Sequence, residues 1–388
     1  MTAVWPFKPR QDIVETLEWL TDVHRCKRAE YRRCKRPQPR TEYQYKYLLD
    51  EVDYGAAREL ARIVGGDPVL VPDWINATHV PTISPGTVSL PVDITYAPAY
   101  KGVGSSVLIF SSLSSYEVVT LTGWGSGTIS ITATAQGHTN PEVIPLRVGT
   151  LPQEFAGDRG PHRYVAASTR FLCVDTEDLN GSYVGIGYPT YLGNSVVTDP
   201  IEIINSVQDH IVREVDTIDS KTGPIYNYPL YSAPTQAAVL AWTLQSALEL
   251  WNLRVWLHTR RGRCKQFWTS SWNNDVLVSY DVNTGDTALQ IVAMGFAAKY
   301  ALPVDMAITA LDGSMQFVRI TAASADAAGH SYLTLSTPFV GTSIAATNIL
   351  KTSKLTLARL AADRIDIQHL PGRQATVVAA TTEVLVYP

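Results

Sequence analysis

Residues 11–49 read QDIVETLEWLTDVHRCKRAEYRRCKRPQPRTEYQYKYLL, and three patterns follow one another within them. The first ten place Ile13, Leu17 and Leu20 on one stripe with Asp12 near the start, which predicts a short amphipathic helix. The last nine alternate aromatic and polar residues at Tyr43, Tyr45 and Tyr47, the pattern of a half-buried strand. Between them stand Arg25, Lys27, Arg28, Arg32, Arg33, Lys35, Arg36 and Arg40 against a single acid, Glu30. A basic loop is expected there.

Working outward, DYGAARELARIV (53–64) reads as a second amphipathic helix, stopped by Gly65-Gly66. An apolar segment, VLVPDW, ends on Trp74. From there to residue 151 the pattern is β only: VSLPVDITY, SSVLIFSS, SYEVVTLTGW, GTISITATA and PEVIPLRVGTL, broken by Gly, Ser and Asn-Pro turns. RYVAASTRFLCVDT (163–176) then leads into a second run with the same plan. Tyr188-Pro189 parallels Trp5-Pro6, and Tyr226-x-Tyr228 parallels Tyr43-x-Tyr45. A long helix is predicted over QAAVLAWTLQSALELWNLRVWLHTR (236–260), stopped by Arg261-Gly262. In QFWTSSW, Trp268 and Trp272 repeat the spacing of Leu70 and Trp74. The β segments TALQIVAM, MAITALDG, MQFVRITAA, YLTLSTPF and NILKTSKLTLARL answer those of the first half in order, and residues 372–388 supply two closing strands.

The expected class is therefore α+β, predominantly β, with an internal duplication. Residues 1–75 form a first strand/helix module and 76–151 a first small β-barrel. Residues 152–282 hold linking strands and the second module, and 283–388 a second small barrel with the closing strands.

Composition excludes several functions. The 388 residues carry a formal charge of −4, so no global field draws the chain to DNA or a membrane. No apolar run reaches a membrane span, and the first residues lack the apolar core of a signal peptide. There is no G-x-S-x-G, H-E-x-x-H, Walker or Rossmann fingerprint, and GVGSS and GWGSGT lie between strands as hairpin turns. His24, His210 and His258 fall near or in predicted helices as surface or satisfied core residues. Cys26, Cys34, Cys173 and Cys264 form no C-x-x-C pair, and free thiols are preferred to a cluster built from four distant cysteines. Trp19, Trp74, Trp242, Trp256 and Trp272 are expected in the core, Trp124 and Tyr116 at the surface. No cofactor or catalytic residue is expected.

The basic run could suit nucleic acid, but the second copy has REVDTIDSKTGP in its place, with net acid. Opposite charge at matching loops suits docking between copies or against a neighbouring ring. Residues 5–49 also resemble the N-terminal signature of tail-tip proteins from long-tailed bacteriophages. LHTRRGRCKQFWTSSWNNDV (257–276) is similar to their R-G-R, F-W, W segment; Cys26-Lys27 and Tyr31 replace the usual Ser-Gly and Gln. The resemblance implies tube-like modules in a structural virion protein of the distal tail or baseplate, made in the host bacterial cytoplasm. It would form a ring, a trimer in preference to a hexamer, joining the tail tube to the central hub and fibres. The eight basic residues would then be its ring-docking interface, without nucleic-acid specificity. A carbohydrate-binding adhesion module is the second reading, a nucleic-acid binder the third and an enzyme the last.

Overall fold

The computed structural model describes residues 2–10, 13–25, 30–95, 104–151, 155–160, 163–175, 179, 187–199, 209–230, 235–325 and 331–384. β1 (Ala3–Val4) leads into the long strands β2 (Ile13–Arg25) and β3 (Glu30–Asp50), then α1 (Glu51–Val64) and β4 (Val69–Pro72). After a 3-10 turn come β5 (Thr78–His79), β6 (Ser89–Leu90), β7 (Ser106–Ser112), β8 (Ser115–Gly125), β9 (Thr128–Ile131), β10 (Glu142–Thr150), β11 (Ala156–Arg159) and β12 (Tyr164–Cys173). Short strands β13 (Thr190–Tyr191), β14 (Asn194–Ser195), β15 (Asp209–Val212), β16 (Val215–Ile218) and β17 (Tyr226–Pro229) follow. The rest is β18 (Thr235–Leu244), α2 (Ala247–Arg260), β19 (Phe267–Ser270), β20 (Ala288–Ile291), the one-turn α3 (Phe296–Lys299), β21 (Val304–Ala310), β22 (Met315–Ala325), β23 (Ser331–Leu335), β24 (Ile349–Leu360), β25 (Arg364–Leu370) and β26 (Gln374–Glu383).

The molecule is mostly β, and its pairings are almost all antiparallel. In the first half β4 pairs with β10, β10 with β7, β7 with β8, β8 with β9 and β9 with β6. β12 lies against β3 on one edge and against β10 and β11 on the other. In the second half β19 pairs with β24, β24 with β21, β21 with β22, β22 with β23 and β23 with β20. β26 lies against β18 on one edge and against β24 and β25 on the other.

The expected barrels are open sheets. β8 turns from β7 to β9 at a bulge between Leu121 and Gly123, and β22 turns from β21 to β23 at one between Ile320 and Ala322. Among the described residues neither circuit closes: β6 does not return to β10, nor β20 to β24. Pro91, directly after the two-residue β6, removes a ladder donor where closure would continue. Each sheet still covers its own core, around Val107, Ile109 and Leu121 in one and Met306, Ile308 and Ile320 in the other.

The helix expected over 11–20 is instead the strand β2; Gln11 and Asp12 lie outside the described residues. Ile13, Glu15, Leu17, Trp19 and Thr21 are buried on alternate positions, whereas Leu20, placed on the helical stripe, is 44% exposed. β2 is hydrogen-bonded on both edges, to β3 and to β25, and that pairing overrides the helical spacing. His24 therefore lies on a strand, and so does His210, on β15. The helix expected over 236–260 is a strand and a helix. Leu240, Trp242 and Leu244 alternate inward on β18, and Ser246 caps α2 by accepting from the Glu249 N–H. Where a helix was read over 53–64, α1 stands, capped by Asp50 and ended at Gly65 with φ 55°.

Tyr43, Tyr45 and Tyr47 are buried with Trp5 and Phe171 in the first core, where the Trp5 indole N–H donates to the Tyr47 hydroxyl at 3.0 Å. The second core gathers Trp242, Trp256 and Phe267 with Leu17 and Trp19, which come from the first half of the chain. Trp74 is buried and Trp272 half-buried. Trp124 is 51% exposed, but Tyr116 is half-buried against the first core. Tyr226 and Tyr228 do not share the place of Tyr43 and Tyr45, since they stand on the exposed hairpin β16–β17.

The cysteines correct the free-thiol expectation. Cys34 on β3 is bonded to Cys264 in the turn after α2, with Cα atoms 5.6 Å apart. Cys173 is a buried free thiol, and Cys26 lies outside the described residues. A link closing 230 residues constrains the unfolded chain strongly. Replacing both cysteines by Ala is expected to lower unfolding stability by about 2–4 kcal/mol, read from chemical denaturation. Non-reducing peptide mapping should recover the Cys34–Cys264 pair from the native protein.

Candidate functional site

The basic run forms one strand of an arm. Its partner β2 supplies acids from outside the basic run 25–40: Glu18 faces Arg40 and Asp22 faces Arg33 in the ladder. Lys35 pairs with Asp22, and Arg36 donates to the Glu18 carbonyl at 3.0 Å. Glu30 is buried beneath three guanidinium groups: Arg359 at 2.7 Å, Arg25 at 2.9 Å and Arg32 at 3.4 Å. Burial pushes the Glu30 carboxyl up, but these hydrogen bonds and charges outweigh it and hold it below its usual range. Arg32 also donates to Gln266 at 2.7 Å, and Arg25 reaches Glu214 at 3.4 Å. Arg33 and Arg40 stand exposed, and Lys27 and Arg28 lie outside the described residues. The arm is thus laid against the second half and held there by the disulfide. It is not a free basic loop.

The arm begins at a seam. β2 and β25 pair from Ile13 opposite His369 to Glu18 opposite Arg364, which joins the sheets of the two halves edge to edge. Beneath the seam is a buried charge cluster that the sequence reading missed. Arg254, from α2, bonds the Glu15 carboxylate, and His369 Nε2 lies 2.9 Å from the same oxygen. Burial pushes the Glu15 carboxyl up; Arg254 and His369 outweigh it and bring it down to about 2. Burial also works against the Arg254 charge, yet Glu15 raises its affinity for the proton overall. A buried acid at an inward strand position opposite a base on a helix is legible only when both elements are assigned correctly.

Beside the seam runs a groove of about 400 Å³, lined by Lys8, Trp74 and Glu142 from the first half and Trp251, Arg254 and His369 from the second. Lys8 and His79 both lie against the Glu142 carboxylate, at 2.7 and 3.1 Å. Elsewhere Ser111 Oγ, His138 and Glu117 lie in line, with both separations 3.5 Å. That is the outer limit of a hydrogen bond. The carboxylate also accepts the backbone N–H groups of Ala135 and Gln136, which makes it a turn brace. Among the described residues no group of three or more His, Cys, Asp or Glu is placed to hold a metal ion, and no helix is long and apolar enough to cross a membrane.

No protein-family model matches this sequence, and no curated protein is similar enough to be matched.

Removing the Glu15 charge leaves Arg254 buried without its counter-ion, so Glu15→Gln should cost about 3–5 kcal/mol at neutral pH. The native Glu15 holds its proton less tightly than in an unfolded chain. Its contribution, about 3 kcal/mol, is present above pH 4.5 and fades as the pH falls toward 2. Denaturation curves taken across that window should converge for the native protein and the variant.

Proposed function

We propose that this protein is a structural component of a phage tail tip or baseplate, built from one module used twice. It forms a ring that joins the tail tube to the central hub and fibres. The observation that supports the reading is an order of strand pairings common to the described parts of residues 3–173 and 196–383. The order β4, β10, β7, β8, β9, β6 is matched by β19, β24, β21, β22, β23, β20. β1 runs parallel to β4 with Val4 beside Leu70, and Val196 forms a parallel bridge to Trp268.

The spacing of the pairs is also alike. From Glu18·Arg40 to Thr21·Cys34 the first hairpin advances three residues on one strand and six on the other. The described pairs Val212·Thr235 and Val215·Pro229 are separated by the same numbers of residues. By this ladder Val197, whose N–H donates to the Trp268 carbonyl as that of Trp5 donates to Leu70, is the counterpart of Trp5, in place of Tyr188.

Two modules fused edge to edge by β2 and β25 are two neighbours of a ring in one polypeptide. A trimer presents six modules, which suits contact with a six-fold tube; a hexamer is the alternative stoichiometry. The Cys34–Cys264 link suits a particle that leaves the reducing bacterial cytoplasm for surroundings in which disulfides persist. Exposed Trp124 favours a second reading, a glycan-binding adhesion module, which a pull-down on host cell-wall glycan would detect.

Electron microscopy of purified protein and of tails is expected to find rings with three copies per layer. A monodisperse monomer absent from tails would remove the proposal. Among the described residues, Arg33 and Arg40 stand exposed on the arm and suit docking to an adjacent ring. Arg33→Ala with Arg40→Ala should change stability by less than about 1 kcal/mol, since the loss is confined to cross-strand pairs. Plaque yield should nevertheless fall by about a hundredfold if the arm docks through them.

A further inference from the structure

The seam inside the chain uses one end of each half's long-stranded sheet and, among the described residues, leaves the opposite end open. β2 of the first half meets β25 of the second. The counterpart of β25 in the first half is β11, and among the described residues it is paired only with β12. The counterpart of β2 in the second half is β15, paired among the described residues only with β18, with Ile211 73% exposed and Val212 41% exposed. An open strand edge is a template for another chain.

We propose that copies of this chain join head to tail, β15 of one copy adding to the outer edge of β11 of the next, in the register that β2 and β25 use within one chain. This rests on the ring reading above and names its contact.

The register follows from the strand pairs of the two halves. Leu49 opposite Val165 and Leu244 opposite Ala375 are the last inward pairs before each helix, so Tyr47·Ala167 corresponds to Trp242·Val377. Gly157 pairs with Ala167 as Ile367 pairs with Val377, which makes Gly157 the counterpart of Ile367. Glu15 pairs with Tyr43 as Asp209 pairs with Ala238, which makes Asp209 the counterpart of Glu15. Inside the chain Glu15 faces Ile367 and Thr16 faces Asp366. Between copies Asp209 then faces Gly157, and His210 faces Ala156.

Charge supports the same match independently. The built seam rests on an acid, Glu15, between two bases, Arg254 and His369. Arg254 is the eighth residue of α2, and the eighth residue of α1 is Arg58. The register position of His369 belongs to Arg159, and that of Glu15 to Asp209. Arg58 and Arg159 are exposed. The receiving edge thus carries two exposed bases at the positions of Arg254 and His369, and the sequence has an acid at the register position of Glu15. The second hairpin adds apolar cover: Ile218 and Tyr226 are 59% and 65% exposed on the arm, and Ile63 on α1 is 68% exposed. The first arm reaches the turn after α2, so its counterpart reaches the turn after α1, beside Ile63.

The test is site-directed cross-linking of the full chain. His210→Cys with Ala156→Cys, oxidised under mild conditions, is expected to give covalent oligomers up to the ring size seen in the microscope, while each single variant gives none. A second arm needs no new thiol. Arg58→Glu should weaken assembly by about tenfold or more, and adding Asp209→Lys to it should restore most of the loss. Rings that persist without cross-linking, and that ignore Arg58→Glu, would overturn the edge contact and leave the ring reading standing. A chain that forms no oligomer at any concentration would overturn both.

Discussion

Everything in this molecule turns on β2 being satisfied along both edges. A strand with β3 on one side and β25 on the other cannot belong to either half alone. Six ladder pairs carry the chain's first residues onto nearly its last, and Thr16 bonds Asp366 across a separation of 350 residues. Leu17 and Trp19, from the same strand, are part of the apolar core of the second half. The seam is held by hydrogen bonds above and by a buried ion cluster below. Such a cluster contributes less to net stability than to register, because a one-residue slip would bury Thr16 or Val14 where Glu15 must meet Arg254.

Much of the β architecture was legible from alternation and turns, and the chain is mostly β as expected. What failed was the choice between periods in two places. IVETLEWL satisfies a helical stripe through Ile13, Leu17 and Leu20 and equally a strand through Ile13, Glu15, Leu17 and Trp19. The deciding fact, that Glu15 has Arg254 as a buried partner, lies 239 residues away. In QAAVLAWTLQSALELW the junction Gln245-Ser246 is a capping signal hidden within an apolar run, and a helix cap was the cue available.

The basic run shows the same dependence. Counted along the sequence, its charge looks unopposed; counted across the ladder, Glu18 and Asp22 oppose it, and Glu30 collects three arginines. A patch judged by composition alone is therefore judged before its partners are known. The Cys34–Cys264 link was hidden for a similar reason, since nothing local in either segment announces the other.

The span between β2 and β25 also bears on synthesis. A ribosome adds roughly 5–20 residues per second, so Ile13–Glu18 emerges tens of seconds before Arg364–Leu370 exists to cover it. Through that interval the nascent chain carries a bare ladder edge beside Leu17 and Trp19. Glu15 and Glu18 give the waiting edge negative charge, which discourages premature pairing with other nascent chains on the same messenger. The acid that later locks the seam would in this way first act as its guard.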